Sequence, residues 1–138
     1  MQVRERMSAP AVTISSDTDY RQALQMMQGQ GVHHLPVLNE HQHLVGIITE
    51  RDLLLAAARY MNTPLEVEEI MQKVVVTIDP EASVAEAAVL LVSNKIGGLP
   101  VVDSMGYVVG VITETDLLHS FVEMLGEGLL FARDMPLD

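Results

Sequence analysis

The chain has 138 residues, a formal net charge of −11, 49% hydrophobic but only 4% aromatic residues, and no cysteine. That length suits one aliphatic core of Val, Leu, Ile, Ala and Met, and the missing cysteines exclude disulfides and thiolate metal sites. The acidity argues against non-specific nucleic-acid binding, which depends on clustered Lys and Arg.

The charge is unevenly spread. Residues 1–64 hold six acids and five bases, whereas residues 65–138 hold thirteen acids and three bases. An anionic ligand should therefore prefer the first half, where Arg4, Arg6, Arg51, His33 and His34 lie. No apolar run approaches the roughly 18 residues of a membrane span. The start, MQVRERMSAP, has no apolar signal-peptide core, so a cytoplasmic location is expected.

Taken in order, residues 3–7 predict a short turn, and Val12-Thr13-Ile14 a short β-branched strand. Asp19 and Gln22 have capping-box spacing before an apolar stripe of Tyr20, Ala23, Leu24 and Met27, which predicts a helix closed by Gly29 and Gly31. Strands follow over 35–38 and 44–48, then a helix over 50–60. The same order recurs: a turn over 67–71, a strand over 75–78, and a helix capped by Ser83 with Glu86 and ending near Asn94-Lys95. Strands over 99–102 and 107–112 flank a hairpin turn in which Gly106 supplies positive φ, and a helix over 114–125 closes the series.

Gly46-Ile47-Ile48-Thr49-Glu50-Arg51-Asp52 returns sixty-four residues later as Gly110-Val111-Ile112-Thr113-Glu114-Thr115-Asp116. At that offset residues 3–59 align without a gap to 67–123, with 18 of 57 positions identical. Leu35-Pro36-Val37 likewise matches Leu99-Pro100-Val101. The expected fold class is α+β: two tandem repeats, 1–62 and 63–125, each strand-helix-strand-strand-helix, packed as one pseudo-two-fold module. A tail over 126–138 has no counterpart in the repeat. Its apolar Leu129-Leu130-Phe131 leaves three readings open: packing on this chain, pairing with another, or leading into a further segment.

The hydrophobic-Pro-Val block and the closing G-h-h-T-x-x-D, each present twice in order, resemble the CBS domain, named for cystathionine β-synthase. Two in tandem resemble a CBS pair, or Bateman module. The resemblance covers residues 3–125 and implies a regulatory module binding an adenosine derivative, AMP, ADP, ATP or S-adenosylmethionine, in two clefts between the repeats. It implies one cleft joining Met7, Val12, Val32, His33 and His34 to Thr113 and Asp116. The other would join Met71, Val76, Ile96, Gly97 and Gly98 to Thr49 and Asp52.

The residues themselves permit two readings of Thr-x-x-Asp. A carboxylate accepts both hydroxyl protons of a ribose diol, beside helix-start N–H groups that favour anions. The same spacing is a capping box, worth about 0.5–2 kcal/mol without any ligand. The resemblance favours the ligand, with the aspartate holding the ribose. The histidine cleft is then expected to bind nucleotide more tightly than the glycine cleft, above all where the imidazoles are protonated. His41 and His43 lie in a hairpin turn without further ligands nearby, so no metal is expected.

Gly-x-Ser-x-Gly, Walker and His-Glu-x-x-His motifs are all missing, so catalysis is not expected. The alternative to ligand sensing is a ligand-independent dimerisation scaffold that regulates a partner protein or adjoining domain. Either way, Leu53-Leu54-Leu55-Ala56-Ala57-Ala58 and Leu117-Leu118 to Phe121-Val122 are more apolar than one buried stripe needs, which fits a homodimer.

Overall fold

The alternation of β-branched strands with capped helices is realised twice in the computed structural model, which describes residues 1–126. In the first repeat the elements are β1 (Ile14–Ser15), α1 (Tyr20–Gln30), β2 (His34–Leu38), β3 (Leu44–Thr49) and α2 (Glu50–Tyr60). In the second they are α3 (Val84–Asn94), β4 (Gly98–Val102), β5 (Val108–Thr113) and α4 (Glu114–Met124). Short 3-10 turns, Val3–Glu5 and Val67–Glu69, precede the two series. The architecture is α+β.

The repeats are units of sequence, but the compact bodies are assembled from pieces of both. One body comprises Ala11–Val75 with Ser104–Val108; the other comprises, among the described residues, Met1–Pro10, Val76–Asp103 and 109–126. Each therefore carries the 3-10 turn that begins the opposite repeat.

In the first body the sheet order is β1-β2-β3, with β1 parallel and β3 antiparallel to β2. Leu35 pairs with Ile48, and His34 with Thr49. The inward residues Leu35, Val37 and Ile48 meet Tyr20, Ala23 and Met27 of α1 and Leu53 and Ala56 of α2. These are the i, i+3, i+7 positions of an amphipathic helix. Each such large side chain contributes roughly 1.5–3 kcal/mol on full burial. Val67 enters the same core, fully buried, and its N–H donates to Thr18 O at 2.7 Å.

The second body repeats this arrangement. Val3 is fully buried with Ile78, Ala87, Leu91, Leu99, Val101 and Ile112, and its N–H donates to Ala82 O at 2.8 Å. Strands β4 and β5 form a two-stranded sheet, and Ile78 adds a parallel bridge to Val101.

Three local expectations are corrected. The strands expected over 12–14 and 75–78 shrink to Ile14–Ser15 and a single bridge at Ile78. Both segments meet the sheet only where the chain turns, and Asp79 Oδ1 already accepts Glu81 N–H at 2.8 Å. The Asp19–Gln22 capping box does not form. Asp19 instead accepts Arg21 N–H at 2.8 Å and pairs with its guanidinium at 2.8 Å, because a charged forked donor outcompetes a neutral amide. Ser83 does accept Glu86 N–H, at 3.0 Å. The tail expectation lies outside the described residues.

Candidate functional site

The two Thr-x-x-Asp segments fold as complete capping boxes, because each aspartate sits at the third position of a helix whose N-cap is the threonine. At α2, Thr49 N–H donates to Asp52 Oδ2 at 3.0 Å, and Asp52 N–H donates to Thr49 Oγ1 at 3.2 Å. At α4, the same bonds join Thr113 N–H to Asp116 Oδ2 at 2.9 Å and Asp116 N–H to Thr113 Oγ1 at 3.3 Å. Capping uses Oδ2 in both cases. Oδ1 of each aspartate makes no hydrogen bond among the described residues, so capping leaves an acceptor for a ligand hydroxyl. Capping therefore occupies one oxygen of each carboxylate and not the other.

Burial pushes the Asp116 carboxyl above its usual range, against the opposing hydrogen bonds from Thr113 and the charge of His119. A hydroxyl donating to Oδ1 would favour the ionised form and so oppose that shift.

The approach to each helix start is set by a glycine. At Gly46 a Cβ would fall 2.9 Å from Gln72 O and collide with the Met71 side chain. At Gly110 it would fall 2.8 Å from Ser8 O and collide with Met7. The repeated glycine is therefore a close-approach position, and it lays Met71 and Met7 along β3 and β5, the strands that run into Thr49 and Thr113.

Each body holds residues from both of the expected groupings. In the first body, His33 O accepts the Glu50 N–H at 3.0 Å and its Nδ1 lies 3.3 Å from Glu50 Oε2. His34 pairs with Thr49, so both histidines sit at the start of α2 with Thr49 and Asp52. Val12, Val32 and Met71 pack on that body's core. In the second body, Gly97 O accepts the Glu114 N–H at 3.0 Å, and Gly98 opens β4 beside the start of α4, with Thr113 and Asp116. Met7, Val76 and Ile96 pack on its core.

The arginines divide. Arg6 is paired with Glu123 at 2.5 Å, which raises the guanidinium and lowers the carboxyl. Arg51 is exposed at the second position of α2. Gln72 escaped the sequence reading: its Nε2 donates to Asp52 Oδ2 at 3.2 Å.

In the first body Asp52 lines a pocket of about 220 Å³ with Leu55, Ala56, Arg59, Tyr60, Glu69 and Ile70. A larger one, about 560 Å³, is bordered by Asp17, Asp19, Glu66, Glu68 and Glu69, which repel anions. Among the described residues no group of three or more His, Asp or Glu side chains is arranged to hold a metal. No helix there is long and apolar enough to cross a membrane.

Fold and site together define a tandem α+β module with two equivalent capped-aspartate helix starts. The CBS domain family model matches residues 3–59 and 67–123, so the chain belongs to the CBS domain family and is a CBS domain pair. A CBS domain-containing protein of Dictyostelium discoideum is 37% identical over 134 residues, covering 89% of this chain and 92% of that protein. L-aspartate semialdehyde sulfurtransferase of Methanocaldococcus jannaschii is 34% identical over 119 residues, 86% of this chain but only 23% of the enzyme. A CBS domain pair solved with 5′-methylthioadenosine and S-adenosyl-L-methionine superposes with a TM-score of 0.83 at 33% identity, covering 90% of this chain and 98% of that one.

Proposed function

We propose that this CBS domain pair is a cytoplasmic regulatory module that binds an adenosine derivative and has no catalytic role of its own. The carrying observation is the pair of unbonded Oδ1 atoms on Asp52 and Asp116, each held at a helix start by a capping box. A rigid carboxylate acceptor is what a ribose hydroxyl requires, and the pair solved with adenosyl ligands shares one third of its sequence with this chain. Met7, Val12, Met71 and Val76 are the apolar residues we assign to the adenine. Val32, His33 and His34, with Ile96, Gly97 and Gly98, are those we assign to the rest of the ligand. AMP, ADP, ATP and S-adenosylmethionine all remain within this class.

Isothermal titration with AMP, ATP and S-adenosylmethionine tests the reading. Asp52→Asn and Asp116→Asn are the informative variants, because an amide oxygen keeps the cap while Oδ1 is replaced by a donor. At about 100-fold its dissociation constant a ligand should add about 2.7 kcal/mol of stability, and each variant should lose one binding event. The grouping implied by the resemblance predicts that His33→Ala with His34→Ala weakens the Asp116-dependent event. No binding by any of the three ligands would refute ligand sensing.

The capping boxes also support a second reading, since they are complete without a ligand. On it the chain is a dimerisation scaffold that regulates a partner or adjoining domain. A homodimer belongs to either reading, and the exposed apolar residues Leu54, Leu55, Leu118 and Phe121 support it.

A further inference from the structure

The two helix starts share their capping residues and their close-approach glycines, and they differ in which side chain supplies the second hydrogen bond to the aspartate. Gly46 and Gly110, Met71 and Met7, Thr49 and Thr113, and Asp52 and Asp116 stand in equivalent places. Each body also repeats the backbone bridge that anchors the residue after the methionine: Gln72 on Ile47, and Ser8 on Val111. The side chain on that bridge differs. Gln72 Nε2 donates to Asp52 Oδ2 at 3.2 Å, and the second bond to Asp116 Oδ2 comes instead from Thr113 Oγ1, at 3.1 Å.

We propose that Gln72 makes the two aspartates unequal acceptors, so that Asp116 can offer both carboxylate oxygens to a vicinal diol while Asp52 offers one. This rests on the adenosine reading above. On each aspartate Oδ2 already accepts two hydrogens and Oδ1 none. The difference lies in how readily Oδ2 is given up. A threonine hydroxyl rotates its hydrogen to another acceptor without moving a heavy atom, so Thr113 releases Oδ2 when a ligand hydroxyl arrives. Gln72 cannot do this. Its backbone is fixed by two bonds to Ile47, of 2.9 and 3.0 Å, and freeing Oδ2 requires the amide to swing away. Gln72 is thus a positioning residue that sets how much of a diol the Asp52 site can read. The residue that releases this restriction, serine, already stands at the equivalent place in the same molecule.

The test exchanges the two residues in the full chain and uses adenosine, which has the diol and no phosphate, against 2′-deoxyadenosine. Asp52→Asn and Asp116→Asn assign the two binding events. Gln72→Ser should tighten the Asp52-dependent event for adenosine by about 3–10-fold, the range of one added hydrogen bond. It should leave 2′-deoxyadenosine and the Asp116-dependent event unchanged. Ser8→Gln should weaken the Asp116-dependent event by a similar factor. A purely structural role for Gln72 would move both nucleosides alike, and that result would overturn the proposal. In ligand-free protein the Gln72 side-chain amide resonances should shift on Asp52→Asn; unmoved resonances would also overturn it. Failure of adenosine to bind any of these proteins would overturn the sensing reading together with this one. Binding that ignores the Gln72 and Ser8 exchange would overturn this one alone.

Discussion

Asp116 is held between two demands. Its Oδ2 closes the cap of α4, which favours the ionised form, but half-burial raises the cost of that charge, and burial dominates. The sign of the consequence follows. A carboxyl whose folded pKa lies above its unfolded value of 3.8 binds its proton more tightly in the folded state. Its contribution to stability is then largest in acid and is lost as pH rises through the window above 3.8. Asp116→Asn keeps the cap acceptor and removes the titration. In paired urea melts at about pH 7 and about pH 4, the wild-type protein should therefore gain on the Asn variant as pH falls. A difference that stays constant, or reverses, would show that burial does not dominate at Asp116. Two other carboxyls work in the opposite direction: Asp19 is lowered by Arg21 and Glu123 by Arg6, so both favour folding above the carboxylate range. They are exposed, and solvent screening keeps their effect small. The Asn comparison isolates Asp116 from both.

At the scale of elements, the two exchanged turns depend on two glycines. Each turn lies on a strand closely enough that a Cβ would meet backbone oxygen, at 2.9 Å from Gln72 O and 2.8 Å from Ser8 O. Backbone held by paired bridge bonds cannot yield as a side-chain tip can. Gly46→Ala and Gly110→Ala should each cost about 1–3 kcal/mol in chemical denaturation, the usual penalty of overpacking. Gly29 is the control, with open space around its Cβ position inside α1. Gly29→Ala should stabilise by about 0.5–1 kcal/mol. Equal effects at the three glycines would refute the close-approach explanation. The sequence displayed the glycines and their repetition plainly. It concealed the reason, because the atoms they accommodate come from the turn that opens the other repeat. The helix bounds were legible for the opposite reason: Thr49, Ser83 and Thr113 act on N–H groups three residues away. Capping is local chemistry.

For the whole molecule, the faces of α2 and α4 that point away from their own cores carry the prediction of a homodimer. Leu53 is fully buried, whereas Leu54 and Leu55 are 49% and 53% exposed; Leu118 and Phe121 are 63% and 56% exposed. Separate apolar residues are common on surfaces, but several on single helices mark an interaction surface. Leu118→Glu with Phe121→Glu should convert a dimer to monomer in sedimentation equilibrium and leave the circular dichroism spectrum unchanged. A wild-type protein that sediments as a monomer at every concentration would end the dimer proposal.

The sequence by itself determined the four helices, the two antiparallel strand pairs, their order, the twofold repeat and the residues at the helix starts. Each of these depends on periodicity, capping or turn chemistry within a few residues. The tertiary structure alone decided that the 3-10 turns exchange, so that Val3 completes the core built on α3 and Val67 the core built on α1. It also decided that Gln72 reaches Asp52, and that Asp19 chooses Arg21 over the capping box. These contacts were hidden because they turn on competition among donors or on residues far apart in the chain. Spacing shows which partners are possible, and only packing selects the one that is made.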